Sequence, residues 1–241
     1  MPEPITALTG KPTAALGRIL AGLQERHPHL TAGPVDDCPS PDEPGHPEYH
    51  RRQRAEWALR RWETATPPRY RQAEATVPAV QDWAERVAAD PATAGSLLLT
   101  GTTGTGKTHQ AYGALRHIAA AGPSTYEIRA LTAADMYGLL RPNGSPRGVE
   151  EELRRLCRVP LLLLDDLGSA KATEWTEEVT YRLINERYNA CRPTAYTSNL
   201  PARAQGAPDL ASALGERIVS RLSEDTTVVG MTGPDRRRAA A

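Results

Sequence analysis

Residues Thr100 to His109 read TGTTGTGKTH, between the apolar run Ser96-Leu97-Leu98-Leu99 and a helical pattern that opens near Lys107. The spacing G-x-x-x-x-G-K-T is met by Gly101, Gly106, Lys107 and Thr108, the arrangement of a phosphate-binding loop. Gly101, Gly104 and Gly106 let the backbone approach a ligand closely, so that N–H groups across Thr102, Thr103, Thr105 and His109 converge on phosphate oxygens. The following helix adds its positive N-terminal end. Lys107 reaches β and γ phosphates, and the Thr108 hydroxyl is a Mg²⁺ ligand. Only Lys11 and Lys171 accompany Lys107 as lysines in a chain otherwise rich in arginine, which points to a chemical need for that side chain.

Downstream, the apolar run Val159 to Leu164 (VPLLLL) predicts a strand covered on both faces, ending in Asp165-Asp166. Four apolar residues followed by two acids set carboxylates beside the metal and the γ-phosphate. Asp165 is expected to hold Mg²⁺, and Asp166 to orient and polarise the attacking water. A further strand ends in Thr197-Ser198-Asn199, where Asn199 can hydrogen-bond that water or the γ-phosphate; ligands of open α/β sheets bind at this edge. Leu210, Leu214, Ile218 and Leu222 repeat every fourth residue and predict a packed helix with Arg217 and Arg221 on its flank. Two such arginines are either solvated charges or, in an ATPase lacking another cation for the transition state, a finger donated to a neighbouring subunit, worth about 10³ to 10⁵ in turnover.

The pattern between these motifs alternates strand and helix. Strands are predicted at Leu97–Thr100, about Thr125–Ala130, Val159–Leu164, Thr194–Ser198 and Thr226–Met231. Between them lie a helix ended by Gly122-Pro123, a helix capped by Thr132 with Asp135 at its third position, one through Leu153 and Leu156, one near Glu174–Ala190, and one near Asp209–Leu222. The fold class is α/β, with a five-stranded parallel sheet flanked by helices. About ten residues follow the last strand, so no helical lid domain is expected.

Upstream, Leu16, Ile19, Leu20 and Leu23 have helical spacing, and six prolines from Pro28 to Pro47 read as an irregular linker. His27, His29, Cys38, His46 and His50 cluster there with spacing too irregular for a zinc site, so solvated residues are the expectation. His50 to Glu63 is helical, with Ala55, Ala58, Leu59 and Trp62 on one face. Arg51, Arg52, Arg54, Arg60 and Arg61 form either a basic surface for nucleic acid or the solvated side of a docked helix. Thr66-Pro67-Pro68 breaks that helix, giving a segment 1–66 and a domain 67–241. Val77–Ala89 is a further helix with Val80, Trp83, Ala84 and Val87 inward.

The chain has 241 residues, with 29 basic and 29 acidic side chains, so no global field announces nucleic acid and any contact must be local. No apolar run nears twenty residues and no leader pattern is present, so a soluble, unexported protein without membrane partners is expected. Three dispersed cysteines, Cys38, Cys157 and Cys191, fit a reducing cytoplasm.

Taken in order, TGTTGTGKTH, LLLLDDLG (Leu161 to Gly168), RPTAYTSNLP (Arg192 to Pro201) and LGERIVSRL (Leu214 to Leu222) resemble the DnaC family of replicative helicase loaders, whose near relatives are transposition helper ATPases of the IstB type. The resemblance runs from about Thr66 to the C-terminus. It implies an AAA+ ATPase domain using ATP and Mg²⁺. Lys107 and Thr108 match its first nucleotide motif, Asp165 and Asp166 its second, Asn199 its sensor, and Arg221 its arginine finger, with Arg217 auxiliary. Asp166 stands where many AAA+ proteins carry the longer glutamate. The resemblance further implies an ATP-dependent homo-oligomer, and an N-terminal segment that binds a hexameric replicative helicase or, in the IstB type, a transposase. It also implies a loop, Ser169 to Trp175, facing single-stranded DNA. There Lys171 offers a phosphate contact, and Trp175 either a stacking platform or a packed helix start. A third reading is an ATP-gated adaptor whose signal is binding.

Overall fold

The computed structural model describes residues 25–26 and 39–236. The predicted helix through Leu16 and Leu23, and His27, His29 and Cys38, lie outside the described residues. The chain divides into two units, residues 1–46 and 47–241. In the first, residues 40–46 form a turn in which the Glu43 carboxylate accepts from Ser40 N at 2.7 Å.

The second unit carries the sheet. Its strands are β1 (Ser96–Thr100), β2 (Ile128–Thr132), β3 (Leu161–Asp165), β4 (Thr194–Ser198) and β5 (Thr226–Gly230), in the order β2-β3-β4-β1-β5 and all parallel. The helices are α1 (Pro47–Ala65), α2 (Pro78–Ala89), α3 (Lys107–Ala121), α4 (Ala133–Leu139), α5 (Val149–Arg158), α6 (Glu174–Asn189), α7 (Leu210–Leu214) and α8 (Glu216–Glu224). A 3₁₀ turn, Pro68–Tyr70, joins α1 to α2. Strand periodicity explains the two apolar layers. Leu97, Leu99, Leu161 and Leu163 face α1, α2 and α3, while Leu98, Leu162 and Leu164 face α4 to α8.

Because β1 lies between β4 and β5 although β2 to β4 follow it in sequence, the connections diverge on either side of β1. A crevice opens there at the carboxyl ends of the strands. The loops after β1, β3 and β4 all reach this edge.

The structure corrects four boundaries. First, the compact unit begins at Pro47 and not at Pro67. Ala58 and Trp62 of α1 are buried in the sheet's core, and Arg54 Nε donates to Gly122 O at 2.9 Å. Arg51 reaches Ala121 O, so two arginines of the basic helix meet the last carbonyls of α3, as cations at a helix C-terminus do. Second, β2 starts at Ile128 because Tyr126 turns inward, 2 % exposed, and its hydroxyl donates to Leu115 O. Third, β3 starts at Leu161, since Val159 and Pro160 are spent on the end of α5. Arg187, 1 % exposed, donates there to the carbonyls of Leu156, Cys157 and Val159, and burial pulls its pKa down to about 10. Fourth, the helix predicted from Asp209 to Leu222 is two helices broken at Gly215 (φ +97°, ψ 150°), although all four residues of its stripe remain buried.

Thr132 caps α4 as expected, accepting from Asp135 N at 3.0 Å. Among the described residues, no helix follows β5 and no helix is long and apolar enough to cross a membrane.

Candidate nucleotide site

Local chemistry shapes the loop before any ligand is considered. Gly106, at φ +96°, starts α3 without a side-chain cap, so the first N–H groups of the helix face the crevice. Thr105 is buried and its hydroxyl donates to Thr102 O at 2.9 Å, tying the loop across its own bend. Gln110, 1 % exposed, anchors α3 from behind: its carbonyl accepts from Thr76 N and Val77 N, and its amide donates to Thr76 Oγ1.

Lys107 is 5 % exposed, yet its ammonium is satisfied. Nζ donates to Gly101 O and Thr102 O, both at 2.8 Å, and to Asn199 Oδ1 at 2.9 Å. A lysine holding loop carbonyls keeps the cation inside the site, poised to exchange those weaker acceptors for phosphate oxygens.

The acids are joined to the loop through hydroxyls. Asp165 Oδ1 accepts from Thr108 Oγ1 at 2.9 Å and from Thr197 Oγ1 at 2.6 Å. The Thr197 hydroxyl in turn accepts from Asp166 N at 3.0 Å, so a β4 side chain sets the position of both acids at the end of β3. Desolvation raises the Asp165 pKa above its ordinary value; the Thr197 and Thr108 bonds oppose this, the Asp166 charge adds to it, and Lys107 opposes it. Asp166 sits at φ +55°, a left-handed conformation uncommon for a side-chain-bearing residue, and Asn199 Nδ2 lies 3.5 Å from its Oδ1.

A cleft of about 480 Å³ opens beside these groups. Of the predicted residues, Thr103, Gly104, Gly106 and Lys107 to His109 line it from the loop, with Asp166 and Asn199 opposite in sequence. Three more residues line it that motif reading had not assigned to the site: Arg69 and Tyr70 of the 3₁₀ turn, and Arg236. Tyr70 stacks on Tyr112 of α3 with ring centroids 4.5 Å apart and planes 8° from parallel. Burial, with the Asp165 and Tyr70 charges secondary, pushes the Tyr112 phenol up to about 12. Spacing rules gave no signal for these three, because each arrives from an element remote in sequence.

Gly101, Thr102, Thr105 and Asp165 adjoin the cleft through hydrogen bonds without lining it, and the other predicted residues lie elsewhere. Arg217 stacks over Tyr181 at 4.5 Å from the ring centroid, and Arg221 over Tyr188 at 4.9 Å with an ion pair to Glu224 at 3.3 Å. Arg221 borders a recess with Gly95, Ser96 and Thr226, at the amino ends of β1 and β5, the opposite sheet edge from the loop. Trp175 is half-buried, 5.9 Å from the Tyr137 ring, as a residue packed at the start of α6. Lys171 is exposed.

Sheet order, loop and paired acids define an AAA+ P-loop nucleotide-binding domain of the DnaC/IstB-like type. The chain belongs to the family of IstB-like ATP binding proteins, whose profile matches residues 79–240. Among solved structures it is similar to the DnaC helicase loader, with 26 % identity and a TM-score of 0.56 over 69 % of this chain and 100 % of that one. It shares its fold with DnaI (22 %, TM-score 0.55, 73 % of this chain and 100 % of the other). It also shares it with domain III of the Thermotoga maritima replication initiation protein DnaA (19 %, TM-score 0.55, 68 % and 66 %). A curated relative, uncharacterized protein YdaV of Escherichia coli (strain K12), is 29 % identical over 125 residues, 52 % of this chain; the chain thus spans about half of that relative, 47 %.

Proposed function

We propose that this chain hydrolyses ATP with Mg²⁺ and uses the cycle, in the cytoplasm, to load a hexameric replicative helicase onto single-stranded DNA. One observation carries the ATPase reading: Lys107 and Thr108 at the start of α3, Asp165 and Asp166 at the end of β3 and Asn199 after β4 join through Thr197 in one hydrogen-bonded group at the sheet's switch point. In that group Lys107 trades its bonds to loop carbonyls for the β and γ phosphates. Thr108 Oγ1 and Asp165 Oδ1 are hard oxygen donors 2.9 Å apart, which suits Mg²⁺. The ion, when bound, supplies charge neutralisation of the phosphates. Asp166 orients the attacking water and draws on its proton. Asn199, shared between Lys107 and Asp166, is released on its Oδ1 side once Lys107 turns to phosphate, and so couples the γ-phosphate to the water.

Arg221, at the far edge of the sheet, serves the nucleotide of a neighbouring copy, with Arg217 beside it. This requires a homo-oligomer. The helicase reading is supported by the similarity to the DnaC helicase loader, matched over its whole length. On this reading the Ser169–Trp175 loop meets the DNA strand through exposed Lys171, and segment 1–46 carries the helicase contact. A second reading, activation of a transposase, is favoured by the family match over 79–240.

The test is affinity capture by the full-length protein, with ATP, of a purified replicative helicase hexamer and, separately, of a transposase. Helicase retained with wild type and lost with Lys107→Ala supports the loader reading. Transposase alone retained selects the second. Equal retention by wild type and Lys107→Ala would remove ATP gating from both.

A further inference from the structure

Gln110 lies in the first turn of α3, which opens at Lys107, and its amide has every hydrogen-bonding position filled although the residue is 1 % exposed. Oε1 accepts from Thr76 N at 2.9 Å and from Val77 N at 3.1 Å. Nε2 donates to Thr76 Oγ1 at 2.9 Å and to Glu74 O at 3.4 Å. One end of this clasp is thus the helix that carries the phosphate loop. The other is residues 74–77, the short segment between the 3₁₀ turn and α2. Burying an amide is costly unless its bonds are made, and here all of them go to that one segment. What the amide adds over an apolar side chain of its size is a fixed position for residues 74–77.

The next positions along α3 press on the same segment. A Cβ at Gly113, one turn on, would collide with Ala75 N, so the two backbones meet directly. Arg116 adds an ion pair to Glu74 at 3.1 Å. Ala75 O is taken from the other side by Gln81 Nε2 of α2, at 2.7 Å. Just upstream, Ala73 N donates to Tyr70 O, which closes the 3₁₀ turn against the segment. Arg69 and Tyr70 of that turn line the cleft from outside both the phosphate loop and the strand ends that carry Asp166 and Asn199. The gap between the loop and this wall is therefore set through α3, and Gln110 is the side chain that binds both N–H and C=O groups of the connecting segment.

We infer that Gln110 is a positioning residue for the nucleoside end of the bound nucleotide. It fixes the wall of Arg69 and Tyr70 at a distance from the phosphate loop that admits base and ribose, and it touches no part of the nucleotide itself. The inference rests on the ATP-binding reading above and adds to it what separates a nucleotide from its bare polyphosphate. Phosphates are gripped by loop N–H groups and Lys107, which keep their places when the clasp opens, whereas base and ribose lose a wall.

The experiment is calorimetric titration of Mg²⁺–ATP and, separately, Mg²⁺–tripolyphosphate into full-length wild type, Gln110→Leu, Thr76→Val and Lys107→Ala, with thermal melting of each protein alone. In Gln110→Leu the Kd for ATP should rise about tenfold, the scale of misplacing groups that orient a ligand, while the Kd for tripolyphosphate stays within twofold of wild type. Thr76→Val, which removes one bond at the exposed end of the clasp, should raise the ATP Kd about threefold and spare tripolyphosphate. Equal shifts for both ligands in Gln110→Leu overturn the inference by assigning the residue to the loop, and an ATP Kd within twofold of wild type overturns it by assigning the residue to packing. Should Gln110→Leu show no native melting transition, the comparison is read on Thr76→Val, where an unchanged ratio of the two Kd values overturns it. Each of these results leaves the ATP reading standing so long as Lys107→Ala loses both ligands; wild type that binds neither better than Lys107→Ala sinks both.

Discussion

Asp165 must carry a negative charge where desolvation opposes it, and the two threonine hydroxyls only partly offset that. A carboxylate whose folded pKa lies above its unfolded value binds its proton more tightly in the fold. Its contribution to stability is therefore full below the unfolded pKa and is lost as pH rises through the folded one. At neutral pH and without metal or nucleotide, the charge works against the fold. Asp165→Asn should then melt higher than wild type near pH 7 in a chelator. The gain should shrink as pH falls toward the carboxylate range, and the Mg²⁺–ATP stabilisation should vanish; melting curves across pH with and without Mg²⁺–ATP check this. Thr197 offers a sharper test, since its hydroxyl binds both acids. Thr197→Val should cost about 10–100-fold in turnover, the scale of losing a group that orients a ligand. ATP affinity should stay within a few fold, as titration and steady-state kinetics would read.

Residue by residue, the sequence was readable where the signal is local. Lys107, Thr108, Asp165 and Asn199 sit in short motifs with fixed spacing, and they meet in space. The Thr197 bridge depends on β3–β4 register, and Arg69, Tyr70 and Arg236 depend on where distant segments cross the cleft. No spacing rule carries that information.

At the level of elements, Gly215 decides how the arginine helix is presented. The four-residue stripe from Leu210 to Leu222 is equally consistent with one helix or two, which is why periodicity alone predicted one. At φ +97° and ψ 150° the backbone is in a region open essentially to glycine, and a Cβ would also press on the Glu177 carboxylate at 2.5 Å. Gly215→Ala should cost about 1–3 kcal/mol in denaturant unfolding. It should also lower ATP turnover at concentrations where the oligomer forms, because α8 with Arg217 and Arg221 would be re-aimed. Unchanged unfolding would mean that the break tolerates a side chain. The domain boundary met a similar limit: Thr66-Pro67-Pro68 does end a helix, but a helix end is not a domain end when Trp62 behind it is buried in the same core.

For the whole molecule, the phosphate loop and Arg221 lie at opposite sheet edges, and the proposed finger role therefore depends on assembly. One chain cannot bring both to one nucleotide without a second copy. Lys107→Ala and Arg221→Ala proteins, each inactive alone, should when mixed one to one recover roughly a quarter of wild-type turnover, since random head-to-tail assembly pairs an intact loop with an intact finger at about that frequency. Measured phosphate release without recovery would mean that Arg221 does not act across an interface.

α1 is bonded through Arg51 and Arg54 to the last carbonyls of α3, the helix whose first turn is the phosphate loop. Fifteen residues of α-helix span about 22 Å, a stiff rod over that length. Pro47, where the N-terminal unit joins the domain, is thus a point of mechanical attachment to one end of that rod. On the proposed reading, a load bound upstream would pull on α1, whose Arg51 and Arg54 bonds hold the far end of that rod, a route to the nucleotide that passes through no ligand contact at all.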